Sequence, residues 1–190
     1  MSTSTRETVI PPTILILPGS SPSGGKNIIE LSLHVPPRTI LTEYNHIFPG
    51  RPAGEGEEVL VIPTIQPSTV GSLLKWDATI AAEKDRLLEL FFAFCTSTLI
   101  PSAPPTSFFD HIDPCSGLPM ATESNHIYDE VESFHAVLQY PVYNAGGCKV
   151  FSHPKYGEGG YPASCFVVGK REEVVAWLEE IINRMKEKEA

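Results

Sequence analysis

The chain has 190 residues, 42% hydrophobic and 19% charged, a composition that suits a folded globular domain and excludes a disordered or fibrous one. The net charge is −9, from 14 basic and 23 acidic side chains. Such a surface repels phosphate backbones, so nucleic-acid binding would need a local basic stripe. The densest basic stretch, Arg184, Lys186 and Lys188, is interleaved with Glu187 and Glu189 and reads as a solvated helix end.

No apolar run approaches the roughly 18 residues of a membrane helix, and no secretory signal is legible. Arg6 and Lys26 are balanced by Glu7 and Glu30, unlike an Arg-rich, acid-poor mitochondrial leader. A cytoplasmic protein is expected, with a mitochondrial location left open.

Residues 1–27 are rich in Ser, Thr, Pro and Gly and read as a flexible segment. Only Thr13–Leu17 is apolar enough to dock, as an edge strand. A single α+β domain is expected over 28–190. Ile28–Val35 reads as a strand, Arg38–Ile47 as a short helix and Pro49–Glu57 as a loop. The continuous β-branched run Val59–Ile65 reads as a buried strand.

Ile80–Leu99 is the clearest helix. Leu87, Leu88, Phe91, Phe94 and Cys95 fall on one face, and Pro101 is expected to stop it. Phe108–Leu118 reads as loop and Ser133–Val142 as a strand. A turn at Asn144–Gly147 leads into a strand over Cys148–His153, and Pro154–Gly160 is a loop. Ala163–Val168 is a buried strand, and Glu172–Lys188 a helix with Val174, Trp177, Leu178, Ile181 and Met185 inward. The fold class is therefore α+β, with a mixed or antiparallel sheet and packed helices.

Chemistry is sparse. The four cysteines show no C-x-x-C spacing, so neither a zinc ribbon nor a thioredoxin site is indicated. No phosphate-binding, dinucleotide, metalloprotease or nucleophile-elbow motif occurs. Cys95 and Cys165 sit in apolar runs and read as core. Cys115 lies in the turn Asp113-Pro114-Cys115-Ser116-Gly117 and is a second candidate for an exposed thiol. His111, beside Asp110 and Asp113, has no paired nucleophile.

The segment Tyr143–Val150 is more specific. An Asn/Gly/Gly turn between apolar runs signals a hairpin, which places Cys148 first out of the turn at the rim. A thiol there is reachable, and Lys149 beside it would favour the thiolate, the form that ligates a soft metal. His153 falls on the opposite strand face because the spacing is odd.

The stretch Phe109–Leu118 together with Gly146-Gly-Cys-Lys-Val150 and His153 resembles the methylmalonic aciduria and homocystinuria type D protein family. The likeness continues through Ile47-Phe48-Pro49, the strand Val59–Ile65 with Gln66, Trp76 and Leu87-Leu88-Glu89, spanning roughly residues 28 to 185. It implies a nitroreductase-like fold without flavin and no catalysis. It implies a metallochaperone-like adaptor for cobalamin that partners a cblC-type cobalamin-processing protein. That adaptor directs the cofactor to methionine synthase or methylmalonyl-CoA mutase. It also implies that a cysteine thiolate coordinates cobalt. The family carries a Cys-Cys doublet, with the first cysteine as ligand, where this chain has Gly147-Cys148. Either Cys148 takes over, with Gly146, Gly147, Lys149 and His153 around it, or cobalt is not ligated through sulfur. Asp113, Ser116, Gly117, Glu132 and His135 are the partner-interface candidates. The absence of a long N-terminal leader favours the cytosolic methionine branch. Two other readings stay open, a flavin-dependent nitroreductase-type enzyme and a scaffold without thiol chemistry.

Overall fold

In the computed structural model, residues 6–22 and 24–188 are described. Five strands form one sheet: β1 (Glu7–Ser20), β2 (Lys26–Val35), β3 (Glu58–Pro67), β4 (Phe108–His111) and β7 (Gly160–Gly169). Their order is β1-β2-β3-β7-β4, and every neighbouring pair is antiparallel. A separate hairpin joins β5 (Val142–Ala145) to β6 (Cys148–Phe151). The helices are α1 (Arg38–Ile47), α2 (Ala78–Phe94), a three-residue turn α3 (Ile100–Ser102), α4 (Glu130–Leu138) and α5 (Arg171–Glu187).

The central strands are apolar on both faces because both faces are covered. On β3, Leu60 and Ile62 pack with Phe91, Phe94, Trp177 and Leu178 of α2 and α5. Their neighbours Val59 and Val61 pack with Ile40, Tyr44 and Ile47 of α1 and Val137 of α4. Strand alternation thus splits one run into two cores. Each fully buried aliphatic or aromatic side chain contributes about 1.5–3 kcal/mol. The α+β class is the one expected.

The structure corrects the N-terminal reading. Glu7–Ser20 is a long strand, paired with β2 from Glu7↔Val35 to Ser20↔Lys26, rather than a flexible segment with a short docked piece. Ile10, Leu15 and Leu17 enter the main core, and that burial outweighs the prolines, which fall where the ladder shifts register. Residues 1–5 of that segment lie outside the described residues.

The strand expected over Ser133–Val142 is helix α4 instead. Asp129 caps it by accepting from the Glu132 amide at 2.9 Å. Ser133, Phe134 and Val137 face inward, and Gln139 ends it in the left-handed region at φ 60°. Part of the expected loop Phe108–Leu118 is strand β4. The long helix does not stop at Pro101 directly. It passes through a π-helical turn, Cys95–Leu99, into α3 and ends at Ser102, one residue beyond the proline.

Candidate functional site

One end of the sheet gathers the candidates. β3 leaves the sheet there at Pro67, opposite the start of β7 at Gly160. β4 leaves at the same end, since His111 pairs with Cys165 of β7. The loops 68–77, 112–128 and 152–159 and the β5–β6 hairpin therefore meet around the first residues of β7. Hydrogen bonds tie them together. Ser68 N donates to Gly159 O at 2.7 Å and Leu73 N to Glu158 O at 3.1 Å. The Glu158 carboxylate accepts from Ser72 Oγ at 2.8 Å and from the Tyr143 hydroxyl of the hairpin. These two bonds hold Glu158 below the usual carboxylate range, and the bond to Glu158 raises Tyr143.

The hairpin turn is the two-residue pair Gly146 and Gly147, at φ 58° and 90°, between Ala145 and its partner Cys148. Both angles lie in the left-handed region that a type I′ turn requires. A β-carbon at Gly147 would meet nothing within 4 Å, so backbone conformation, not space, selects glycine. The hairpin has two faces. Val142 and Phe151 pack with Phe134 and Ile65, and Lys149, on the same side as Phe151, reaches Glu132 of α4 at 3.0 Å. The alternate residues, Cys148 and Val150 with Tyr143, face the other way.

That outer face borders an open cleft of about 440 Å³. Leu73, Leu74, Trp76 and Lys84 form one wall, with Gly146, Cys148, Lys149 and Val150 opposite. Cys148 is exposed and its thiol is free. A larger groove of about 570 Å³ lies elsewhere, between β1 and the end of α5, where Leu17, Ser97, Arg184 and Met185 line it without a thiol.

Not every sequence candidate joins the thiol. Lys149 is engaged by Glu132, whose carboxylate raises its pKa, so its ammonium is neutralised by a carboxylate rather than reserved for sulfur. His153 is buried, 4% exposed, with its ring stacked on Tyr156 at 4.5 Å. Its Nδ1 accepts from the Lys155 and Tyr156 amides, each at 3.1 Å, so Nε2 carries the proton and donates to Glu30 at 3.1 Å. Both ring nitrogens are used, and His153 is a buried clamp for loop 152–159, not a neighbour of the thiol. His135 is also committed, its Nδ1 lying 2.9 Å from Tyr140 O.

The 113–118 turn is held by Asp113. Its Oδ1 accepts from Cys115 N at 3.0 Å, its Oδ2 from Ser116 Oγ at 2.7 Å, and its carbonyl from Gly117 N at 2.7 Å. Gly117 sits at φ 71°, where a β-carbon would lie 2.5 Å from Ile127 Cγ2. Cys115 is exposed, 3.9 Å from the Tyr161 hydroxyl. Beneath this end, Glu130 receives the Ser164 hydroxyl at 2.6 Å, and burial pushes its carboxyl up to about 8. Among the described residues, no three His, Cys, Asp or Glu side chains converge as a metal site, and no helix is long and apolar enough to cross a membrane.

The sequence reading assigned Trp76 no place in the site. It is 94% exposed on the cleft wall, with Lys84 Nζ 5.6 Å from its ring centre. The signal was a tryptophan two residues after the apolar pair Leu73-Leu74, inside a Ser/Gly-rich loop.

The model of the methylmalonic aciduria and homocystinuria type D protein family matches residues 21–173. The chain belongs to that family. Membership gives it a cobalamin-related role in a family of trafficking proteins. No curated protein matches it.

Proposed function

We propose that this chain is a cobalamin-trafficking adaptor whose Cys148 thiolate meets the cobalt of a cofactor shared with a cblC-type cobalamin-processing protein. The observation that carries the reading is one exposed thiol, presented by a tight two-residue turn into an open cleft, in a chain of this family. The donor set suits the cargo. A protein-only metal site needs three or four ligands, whereas a corrin fills the equatorial positions itself and leaves an axial one for a single soft donor. Gly147 stands at φ 90°, which disfavours a second side chain there and leaves Cys148 to act alone.

The cleft is of drug-sized volume and holds one face of a cobalamin rather than enclosing it, which fits a cofactor held jointly with a partner. Of the seven exposed large apolar side chains among the described residues, Ile14 lies on β1 and Ile100 on α3, while Val70, Trp76, Met120, Ile127 and Tyr143 lie on the loops and hairpin of this end and form the partner-facing surface. Asp113, Ser116 and Gly117 shape its 113–118 turn, and Glu132 and His135 of α4 brace the hairpin. In this reading the protein works in the cytosol, serves methionine synthase first and methylmalonyl-CoA mutase second, and performs no catalysis of its own.

The test is an absorption titration of the complex with a cblC-type protein and cobalamin. Wild type shifts the cobalamin spectrum, and Cys148→Ser abolishes the shift. Identical spectra would remove the thiolate role.

A further inference from the structure

Trp76 serves no purpose in the fold. Its indole is 94% exposed, whereas the chain's other tryptophan, Trp177, is 6% exposed and donates to Ser102 Oγ at 3.0 Å. The backbone that carries it is nevertheless anchored on both sides. Three residues before it, Leu73 is buried and bonded to Glu158. One residue after it, Asp77 caps α2 through the Ile80 amide at 2.9 Å. Lys84, two turns into that helix, lies over the ring. An aromatic side chain carried in water by a short, doubly anchored loop is placed for a contact made later, and burial of such a ring is among the larger single gains available to a binding surface.

The place of that contact follows from the cleft. Trp76 and Cys148 line the same cleft on opposite walls, and its charged lining residues are Lys84 and Lys149, with no carboxylate. In a chain of net charge −9 this is a local reversal of sign. Glu132 neutralises Lys149, so Lys84 is the cation that faces the cleft. The combination of a flat π-surface, a cation beside it and a soft ligand opposite selects a planar macrocycle with acceptor groups on its rim.

We infer, resting on the reading of Cys148 given above, that Trp76 is the second contact of this chain with cobalamin. Its indole packs against the corrin periphery, and Lys84 meets the carboxamide or phosphodiester oxygens there, while Cys148 approaches the metal. Trp76 is a positioning residue that sets how the ring lies over the thiol.

The experiment uses the full chain labelled with 5-fluorotryptophan in complex with the cobalamin-processing partner, with and without cob(II)alamin, which is paramagnetic. Two fluorine resonances are expected from this chain, and Trp76→Phe identifies which is which. Cobalamin broadens or shifts the Trp76 resonance and leaves Trp177 unmoved, and Trp76→Ala weakens retention of cobalamin by about tenfold while Trp76→Phe keeps most of it. A Cys148-dependent absorption change with a silent Trp76 resonance overturns the Trp76 contact and leaves the thiolate reading standing. A Trp76 resonance that moves on adding the partner alone, with no further response to cobalamin, makes it a protein anchor and also overturns the contact. No Cys148-dependent absorption change removes the thiolate reading, and this inference with it.

Discussion

Cys95 and Cys165 lie in the helix–sheet core, unexposed, with their sulfurs 3.8 Å apart, whereas Cys115 and Cys148 stand exposed at the loop end of the sheet. Burial pushes the Cys165 thiol well up, so its thiolate is scarce and no reagent reaches it. The rim thiols are in water and free to meet a partner. One residue type therefore plays two parts, and the layer of the fold decides which. The core is held by apolar area. The rim is held by hydrogen bonds such as those of Asp113 and Glu158, so it presents groups without being built from them.

The comparison is most easily broken from the core. Phe166 is fully buried, with ring centres of Tyr44 at 5.3 Å, Phe48 at 5.6 Å and Tyr128 at 5.2 Å. Phe166→Ala should cost about 3–5 kcal/mol in urea unfolding. A loss under about 1 kcal/mol would mean that this side of the sheet is not a packed core. At the rim, Gly117→Ala combines the left-handed backbone with a clash against Ile127 and should cost about 1–3 kcal/mol. It should also loosen the turn that carries Cys115, read as faster thiol labelling there. Smallest is Cys148→Ser, expected within about 0.5 kcal/mol of wild type because its side chain packs against nothing that folding needs. In native protein a maleimide should modify Cys115 and Cys148 and spare Cys95 and Cys165 until denaturant is added. Rapid labelling of Cys165 would erase the distinction.

The sequence was most legible where burial writes a strong period. β2, β3, β7, α1 and α5 follow runs whose apolar spacing leaves one solution. Helix α4 was misread because Phe134, Ala136, Leu138, Tyr140 and Val142 alternate as a strand would, although Asp129 with Glu132 three residues on is a capping signal. β1 was hidden by its prolines and glycine, since composition registers their cost but not the pairing with β2 that outweighs it. The hairpin turn was readable because two glycines admit few geometries. The long-range contacts were not. That Lys149 meets Glu132, that His153 is locked against Glu30, and that Trp76 shares a cleft with Cys148 all depend on pairings distant in sequence.

The turn's length also fixes which side chain the cleft receives. Cys148 and Val150 look outward, and Lys149 and Phe151 look toward α4, only because two residues separate Ala145 from Cys148. One codon added to that turn would reverse every side chain of β6. The sulfur would turn toward α4, an ammonium would take the place of Val150 on the outer face, and a phenyl ring would move from the interior into water. Replacing the thiol is cheap, but insertion in the turn beside it is not. The short turn thus acts as a ruler that keeps the thiol facing its target.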